Sequence, residues 1–129
     1  MKAPRGQPPA APLPAPERWQ VEAGEAAIAR LVVPPDARRE RRFEVSVAMT
    51  VRATAGPDDA AWHRLTVLAD GQRQWQRRVD THRGAGGDGL DLRFERRVPP
   101  GRALQLQAES DGAGVRRLSL RIEAEEVRD

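Results

Sequence analysis

Cysteine and tyrosine are both absent from this chain of 129 residues, and lysine occurs once, as Lys2. Without cysteine there is no disulfide, no thiolate nucleophile and no zinc–thiolate site. No apolar run approaches the roughly 18 residues that a membrane span requires, and no secretory signal is visible in the first twenty residues. We therefore expect a protein without a membrane span that is cytoplasmic or part of a virion or other intracellular assembly.

The positive charge comes almost entirely from arginine. The net charge is +3 and the pI about 10.8, but the arginines are mixed with nearly as many acids, as in "PDARRERRFE". Phosphate-binding surfaces need an uninterrupted basic stripe, and single-strand binders add stacking aromatics. This pattern argues against a nucleic-acid partner.

Proline is concentrated at the start of the chain, where six of the eleven prolines fall within residues 1–16. Such a segment cannot form a helix and favours extended polyproline II conformation. We predict an extended proline-rich arm over residues 1–17, followed by a single domain over residues 18–129.

From Arg18 onward the apolar residues alternate with polar ones. "RFEVSVAMTVRA" is the clearest case, and "LDLRFERRV", "ALQLQAE" and "RLSLRIEAEEV" repeat it. Period-two alternation predicts half-buried strands, and Asp70-Gly71 is a strong signal for a two-residue hairpin turn. We predict an all-β antiparallel sandwich of seven to eight strands with jelly-roll topology. The predicted core comprises Phe43, Val45, Val47, Val51, Leu65, Val67, Leu92, Phe94, Leu106, Leu118, Leu120 and Ile122.

Three functional patterns overlap in "DTHRGAGGDGLDLRF", residues 80–94. Gly84-x-Gly86-x-x-Gly89 matches the dinucleotide fingerprint, but that motif requires a helix after the glycines, and here a strand follows. A calcium-binding nonapeptide repeat would have to recur, and only one copy is present. The segment is therefore predicted to be a glycine-rich hairpin loop. An isolated calcium site formed by Asp80, Asp88 and Asp91 is the alternative, because calcium takes six to eight oxygen ligands.

Catalytic groups are sparse. Two histidines, His63 and His82, are too few for a metal triad, and His63, beside Trp62, is interpreted as a packed edge residue. The serines lie in strands or a turn without a nucleophile elbow, and the carboxylates are scattered. We predict a protein that is not an enzyme and has no cofactor, apart from the calcium alternative.

The tryptophans are the candidate binding residues. In "QRQWQRRV", period-two alternation predicts that Trp75 shares a strand face with Arg73, Arg77 and Val79. Such a face suits stacking on a sugar ring or on a partner protein, although Trp75 as the core contact of an edge strand is the simpler interpretation. The full candidate set is Trp75, Arg73, Arg77, Trp62, His82 and Arg83.

The runs "FEVSVAMTVRA", "WHRLTVLADGQRQWQRRV", "GRALQLQAESDGAG" and "LSLRIEA" resemble the galactose-binding-like jelly rolls, including the carbohydrate-binding modules of glycoside hydrolases. The resemblance covers roughly residues 42–125 and implies a sugar-binding surface. It transfers no individual ligand residue, since the sites of that family lie in variable loops.

Two functions are compatible with the sequence. One is a structural or accessory protein that docks on a larger assembly, such as a capsid, a shell or an enzyme complex, through its sandwich and its arm. Its partner would be another protein or a second copy of the chain. The predicted extended arm favours such binding, because it loses little conformational entropy when it lies along a neighbouring surface. The other is a glycan-binding module that uses exposed tryptophan and arginine together with the 80–91 loop.

Overall fold

The computed structural model describes residues 14–54, 56 and 59–128. These residues form eight strands and no helix, so none of them belongs to a helix that could span a membrane. The strands are β1 (Arg18–Glu22), β2 (Ile28–Val33), β3 (Arg41–Ala53), β4 (Trp62–Ala69), β5 (Gln72–Asp80), β6 (Asp88–Val98), β7 (Leu104–Ala113) and β8 (Val115–Glu126).

The strands form two four-stranded sheets in which every pair is antiparallel. The first sheet has the order β1-β8-β3-β6 and the second the order β2-β7-β4-β5. The pairs β1–β8, β2–β7, β3–β6 and β4–β5 are nested, as in a long hairpin rolled upon itself. This order is the jelly-roll topology. The predicted sandwich, with its strand number, is confirmed.

The core lies between the two sheets and follows the alternation of the sequence. Nine of the twelve predicted core residues are buried, and Leu92 and Phe94 are half-buried because β6 is an edge strand. Leu118 was predicted to be buried but is 36% exposed. The register between β3 and β8 shifts so that Thr50 lies opposite Ser119 and Val51 opposite Arg117. Leu118 is the extra residue of this bulge and leaves the core face.

Two connections decide where loop residues lie. Asp70 and Gly71 both have positive φ, 50° and 78°, and join β4 directly to β5, as predicted for a tight hairpin turn. The segment after β5 was predicted to be a hairpin loop, and this is wrong. Residues 81–87 lead from β5 in one sheet to β6 in the other, because each strand finds its hydrogen-bonding partner elsewhere.

The sandwich has two ends with different contents. At one end, here called the arm end, lie the start of β1, the end of β8, and the β2–β3, β4–β5 and β6–β7 connections. The opposite end, the loop end, carries the other connections, including residues 81–87. Residues 1–13 of the predicted arm lie outside the described residues, and residues 14–17 carry no strand.

Val47→Asp should destabilise the fold severely, because Val47 is 1% exposed at the centre of β3 and an unpaired carboxylate would enter a dry core. We expect a loss of about 3 kcal/mol or more in the free energy of unfolding, measured by urea denaturation. Ser46→Asp is the matched control, since the neighbouring side chain lies on the outer face between Arg93 and Glu123. Attraction to the first and repulsion from the second offset each other, so stability should change by about 0.5 kcal/mol or less. Equal effects of the two substitutions would contradict the assignment of faces.

Candidate functional site

Trp75 points into the sandwich. It lies opposite Val67, which is fully buried, and packs half-buried against the core from the edge strand β5. Its ring is therefore occupied by core packing, which agrees with the simpler of the two interpretations drawn from the sequence.

A bulge in β5 separates Trp75 from one of its predicted partners. The register with β4 shifts between Val67 and Leu68, and Gln74 is the extra residue. Arg73 consequently lies opposite Leu68 on the outer face, so the prediction that it shares a face with Trp75 is wrong. Arg77 lies opposite buried Leu65, on the same face of the strand as Trp75, as predicted, although Arg77 is exposed.

Trp62 stands on the outer face of the second sheet and is covered by arginine. The Arg78 guanidinium lies 3.9 Å from the centre of the ring, and that of Arg64 lies 5.7 Å away. Arg64 in turn forms an ion pair with Asp111 at 2.7 Å. Arg78 was not among the predicted site residues. The sequence does not reveal this contact, because Arg78 lies opposite Arg64 only as a result of the bulge in β5.

The loop end is held by hydrogen bonds from residues predicted to bind ligands. The backbone N–H groups of His82 and Gly89 each donate to the Asp88 carboxylate at 2.8 Å. The His82 hydrogen bond, followed by that of Gly89, outweighs burial and lowers the pKa of Asp88 below its ordinary value. The Arg83 guanidinium donates to the carbonyl oxygens of Gly56, at 2.7 Å, and Asp59.

Two glycines at the loop end, Gly87 and Gly89, are required by backbone packing. Gly87 has a φ of 77°, and a Cβ there would lie 2.8 Å from the carbonyl oxygen of Val51. A Cβ on Gly89 would clash with the carbonyl oxygen of Met49. Both glycines are thus explained by the close approach of β6 to β3.

The three candidate calcium ligands are not brought together. Asp80 lies opposite Trp62 on the outer face of the second sheet, and Asp91 lies opposite Ala48 on the outer face of the first. Asp88 between them accepts the loop N–H groups. Among the described residues, no three His, Cys, Asp or Glu side chains are grouped as a metal ion would require.

His63 is fully buried, although it was interpreted as an edge residue. It lies on the inner strand β4, with Nδ1 2.7 Å from Thr81 Oγ1 and Nε2 3.4 Å from the Gly89 carbonyl oxygen. The tautomer protonated on Nε2 satisfies both contacts, since the threonine hydroxyl can then donate to Nδ1. Burial of His63 could have been predicted from the sequence. It lies two residues before Leu65, so period-two alternation places both side chains on the core face.

An ion cluster at the arm end was not anticipated from the sequence. Arg39 contacts Glu126 at 2.7 Å, Glu17 at 2.9 Å and Asp36 at 3.3 Å, and Arg41 contacts Glu17 at 2.7 Å. Arg41 and Glu126 are buried. We call these five residues the arm-root cluster, because Glu17 is the last residue before β1.

The contacts of the arm-root cluster shift the pKa of three groups, Glu126, Arg39 and Asp36. Burial alone would raise the pKa of Glu126, but hydrogen bonds from Arg39, the Glu17 backbone N–H and Arg128 prevail and hold it below its ordinary value. The hydrogen bond to Glu126 likewise raises the pKa of Arg39, against the effect of desolvation. The pKa of Asp36 is lowered, chiefly by the backbone N–H of Arg38. All these groups are charged at neutral pH.

The outer face of β2 carries exposed apolar side chains. Ile28 is 43% and Val32 56% exposed. Beside Val32 lies a depression of about 180 Å³, lined by Leu68 together with the polar groups of Arg30 and Gln107. We call these five residues the β2 face.

No family model and no curated protein matches the sequence. Among solved structures, the chain is similar to part of dimeric latent PorU from Porphyromonas gingivalis, with a TM-score of 0.55 and 11% identity. The match covers 99% of this chain and 14% of that one, so the chain spans about one seventh of the length of PorU. Similarity at this level shows the fold alone.

Glu126→Gln should lower the free energy of unfolding at pH 7 by about 1–2 kcal/mol, because Arg39 loses a charged acceptor. The pKa of Glu126 is depressed in the folded state, so its contribution is complete above the ordinary glutamate pKa and is lost as pH falls through the folded value. The deficit of the variant should therefore shrink as pH falls below the ordinary glutamate pKa, as followed by urea denaturation. Glu25→Gln, which removes an exposed ion pair with Arg116, should have little effect at any pH, and a deficit independent of pH would contradict this assignment.

Adding calcium or a chelator should leave the melting temperature unchanged, because Asp80 and Asp91 lie on opposite faces. A ligand that binds only the native state at a hundredfold excess over Kd would add about 2.7 kcal/mol of stability. Differential scanning calorimetry of the wild-type chain and of Asp88→Ala is the measurement. The variant should melt lower in both conditions, whereas a calcium-dependent rise in the wild type alone would restore the calcium site.

Proposed function

We propose that this jelly roll is a non-catalytic docking module that attaches to a larger protein assembly, as a capsid or shell decoration protein or as a subunit of an enzyme complex. The observation that carries the proposal is the β2 face. Two β-branched side chains, Ile28 and Val32, stand more than 40% exposed on one short strand, and a partner that covers them gains hydrophobic free energy.

The composition of the β2 face suits a protein partner. Apolar groups lie beside the donors of Arg30 and Gln107, and the cores of protein interfaces are apolar with polar groups at the rim. The depression beside Val32 is large enough for one apolar side chain of the partner.

The position of the arm adds support. The arm joins the body at Glu17, which the arm-root cluster holds beside Pro34, just after β2. The root of the arm and the depression beside Val32 thus lie toward the same end of the sandwich. We infer that a single partner contacts both the proline-rich segment and the β2 face, since a proline-rich sequence loses little conformational entropy on binding.

The alternative, a glycan-binding module implied by the resemblance to galactose-binding-like domains, has less support. Stacking on a sugar requires an open aromatic face. Trp75 faces the core, and Trp62 has Arg78 at 3.9 Å from its ring. A sugar would have to displace that arginine.

Val32→Asp should abolish capture of the native partner by the immobilised protein, because the charge must be desolvated on docking. Deletion of residues 2–13 should weaken capture while changing the stability of the body by no more than about 0.5 kcal/mol, since Pro14–Glu17 and the arm-root cluster remain. Pull-down from the native source, followed by calorimetric titration of the purified captured protein, measures both effects.

Ala85→Asp is the matched control, because it introduces the same charge at an exposed position of residues 81–87, at the loop end. It should leave capture intact. If capture instead survives Val32→Asp and the arm deletion, the docking proposal is wrong. Glycan binding that is lost with Trp62→Ala would then favour the alternative.

A further inference from the structure

The two sheets have four edge strands, and three of them have features that discourage pairing with another strand. β1 has only five residues, and β2 has six and runs into Pro34 and Pro35. β5 is interrupted by its bulge and carries three arginines and no acid before its last residue. Short length, proline, bulges and like charge all protect sheet edges.

The fourth edge, β6, lacks short length, proline and bulges, and its charges, which include Arg96 on the inner face opposite Phe43, are of both signs. It runs for eleven residues, Asp88–Val98, without proline, and pairs with β3 in continuous register without a bulge. It therefore offers about twice as many residues for pairing as β1 or β2 does. Among the residues that the structure describes, no strand forms backbone hydrogen bonds with the edge of β6 that faces away from β3.

The charges of β6 are arranged to complement a second copy of the same strand. Its outer face presents Asp91, Arg93, Glu95 and Arg97 in sequence. If two β6 strands run antiparallel with Phe94 opposite Phe94, Arg93 meets Glu95 and Asp91 meets Arg97. Each pairing occurs twice by symmetry, so four ion pairs form across the interface.

Neighbouring registers are excluded by repulsion. If the twofold axis lies at Arg93 instead of Phe94, Arg93 lies opposite Arg93 and Asp91 lies opposite Glu95. If the axis lies at Glu95, Glu95 lies opposite Glu95 and Arg93 lies opposite Arg97. Like charges directly opposite each other destabilise a strand pair, so of these three registers only the one centred on Phe94 is favourable. Registers shifted by one further step in either direction keep two opposite-charge pairs, against four in the register centred on Phe94.

These charged groups are available for such contacts. The side chains of Arg93, Glu95 and Arg97 are 73%, 59% and 73% exposed, and their ion pairs within the chain are long, at 3.7, 4.0 and 3.7 Å. Exposed ion pairs of this kind contribute little to stability, so the side chains can turn toward a neighbouring strand at little cost.

The inner side of β6 is compatible with the same register. Leu90 meets Val98, and the half-buried rings of the two Phe94 residues meet each other. Leu92 meets Arg96, whose guanidinium group already contacts Gln74 at 3.2 Å, so that its aliphatic part can cover the leucine.

We propose that two copies of this chain associate through antiparallel pairing of β6 with β6 about a twofold axis at Phe94. The two sheets of order β1-β8-β3-β6 then form one continuous sheet of eight strands. This interface is independent of the proposed docking function, because the β2 face lies on the other sheet and remains open.

Charge reversal at the paired positions tests both the interface and its register. Light scattering coupled to size exclusion over a range of concentrations should give a mass of twice 14.3 kDa for the wild-type chain at high concentration. Arg93→Glu places a new carboxylate opposite Glu95, and Glu95→Arg places a new guanidinium opposite Arg93, twice each. Each single variant should weaken the dimer about tenfold or more.

An equimolar mixture of the two single variants should restore the dimer as a heterodimer, because every cross-strand pair then has opposite charges. Arg121→Glu is the matched control, since it reverses a charge on the same face of the sheet but on β8, two strands away; it should leave the dimer intact. Circular dichroism melting verifies that each variant is folded. A wild-type chain that stays monomeric, a dimer that survives the single reversals, or a mixture that stays monomeric would each overturn the proposal.

Discussion

The arm-root cluster joins the start of β1 and the end of β8 to the β2–β3 connection. Glu17 and Glu126 are 109 residues apart in sequence, yet the cations of Arg39 and Arg41 bridge them and the β2–β3 connection at one end of the sandwich. Because Arg41 is buried, removing its partner would leave a charge without compensation, which costs far more than an exposed pair. The first strand, the last strand and the root of the arm therefore keep their positions together.

The packing of the two sheets against each other determines which side chains remain exposed for binding. The interior takes up Trp75 and His63, two of the groups that the sequence marks as chemically interesting, and the strand crossing at the loop end takes up Asp88 and Arg83 as hydrogen-bonding groups. What remains outside is the faces and edges of the two sheets, with depressions such as the one beside Val32. The proposal of a protein partner rests on one of these faces, the β2 face.

The two bulges show why the fold was easier to predict than the site. Strand positions follow from alternation over a few residues, and nine core residues were identified on that basis. A bulge inserts one residue and inverts the face of everything beyond it. At Gln74 this separates Arg73 from Trp75, and at Leu118 it exposes an apolar side chain. Neither bulge has a local signature in the sequence, so the predicted binding face was partly wrong.

The sequence by itself determined an antiparallel set of seven to eight strands, the Asp70-Gly71 turn and the one-sided apolar pattern of β3, because each depends on conformational preferences of residues close together in the chain. Only the tertiary structure decided that residues 81–87 cross between sheets, that Arg78 covers Trp62, that Glu17 meets Glu126 and that β6 is left as an open edge. These features depend on pairing between distant strands, whose free energy is set by the whole set of partners rather than by any local run of residues.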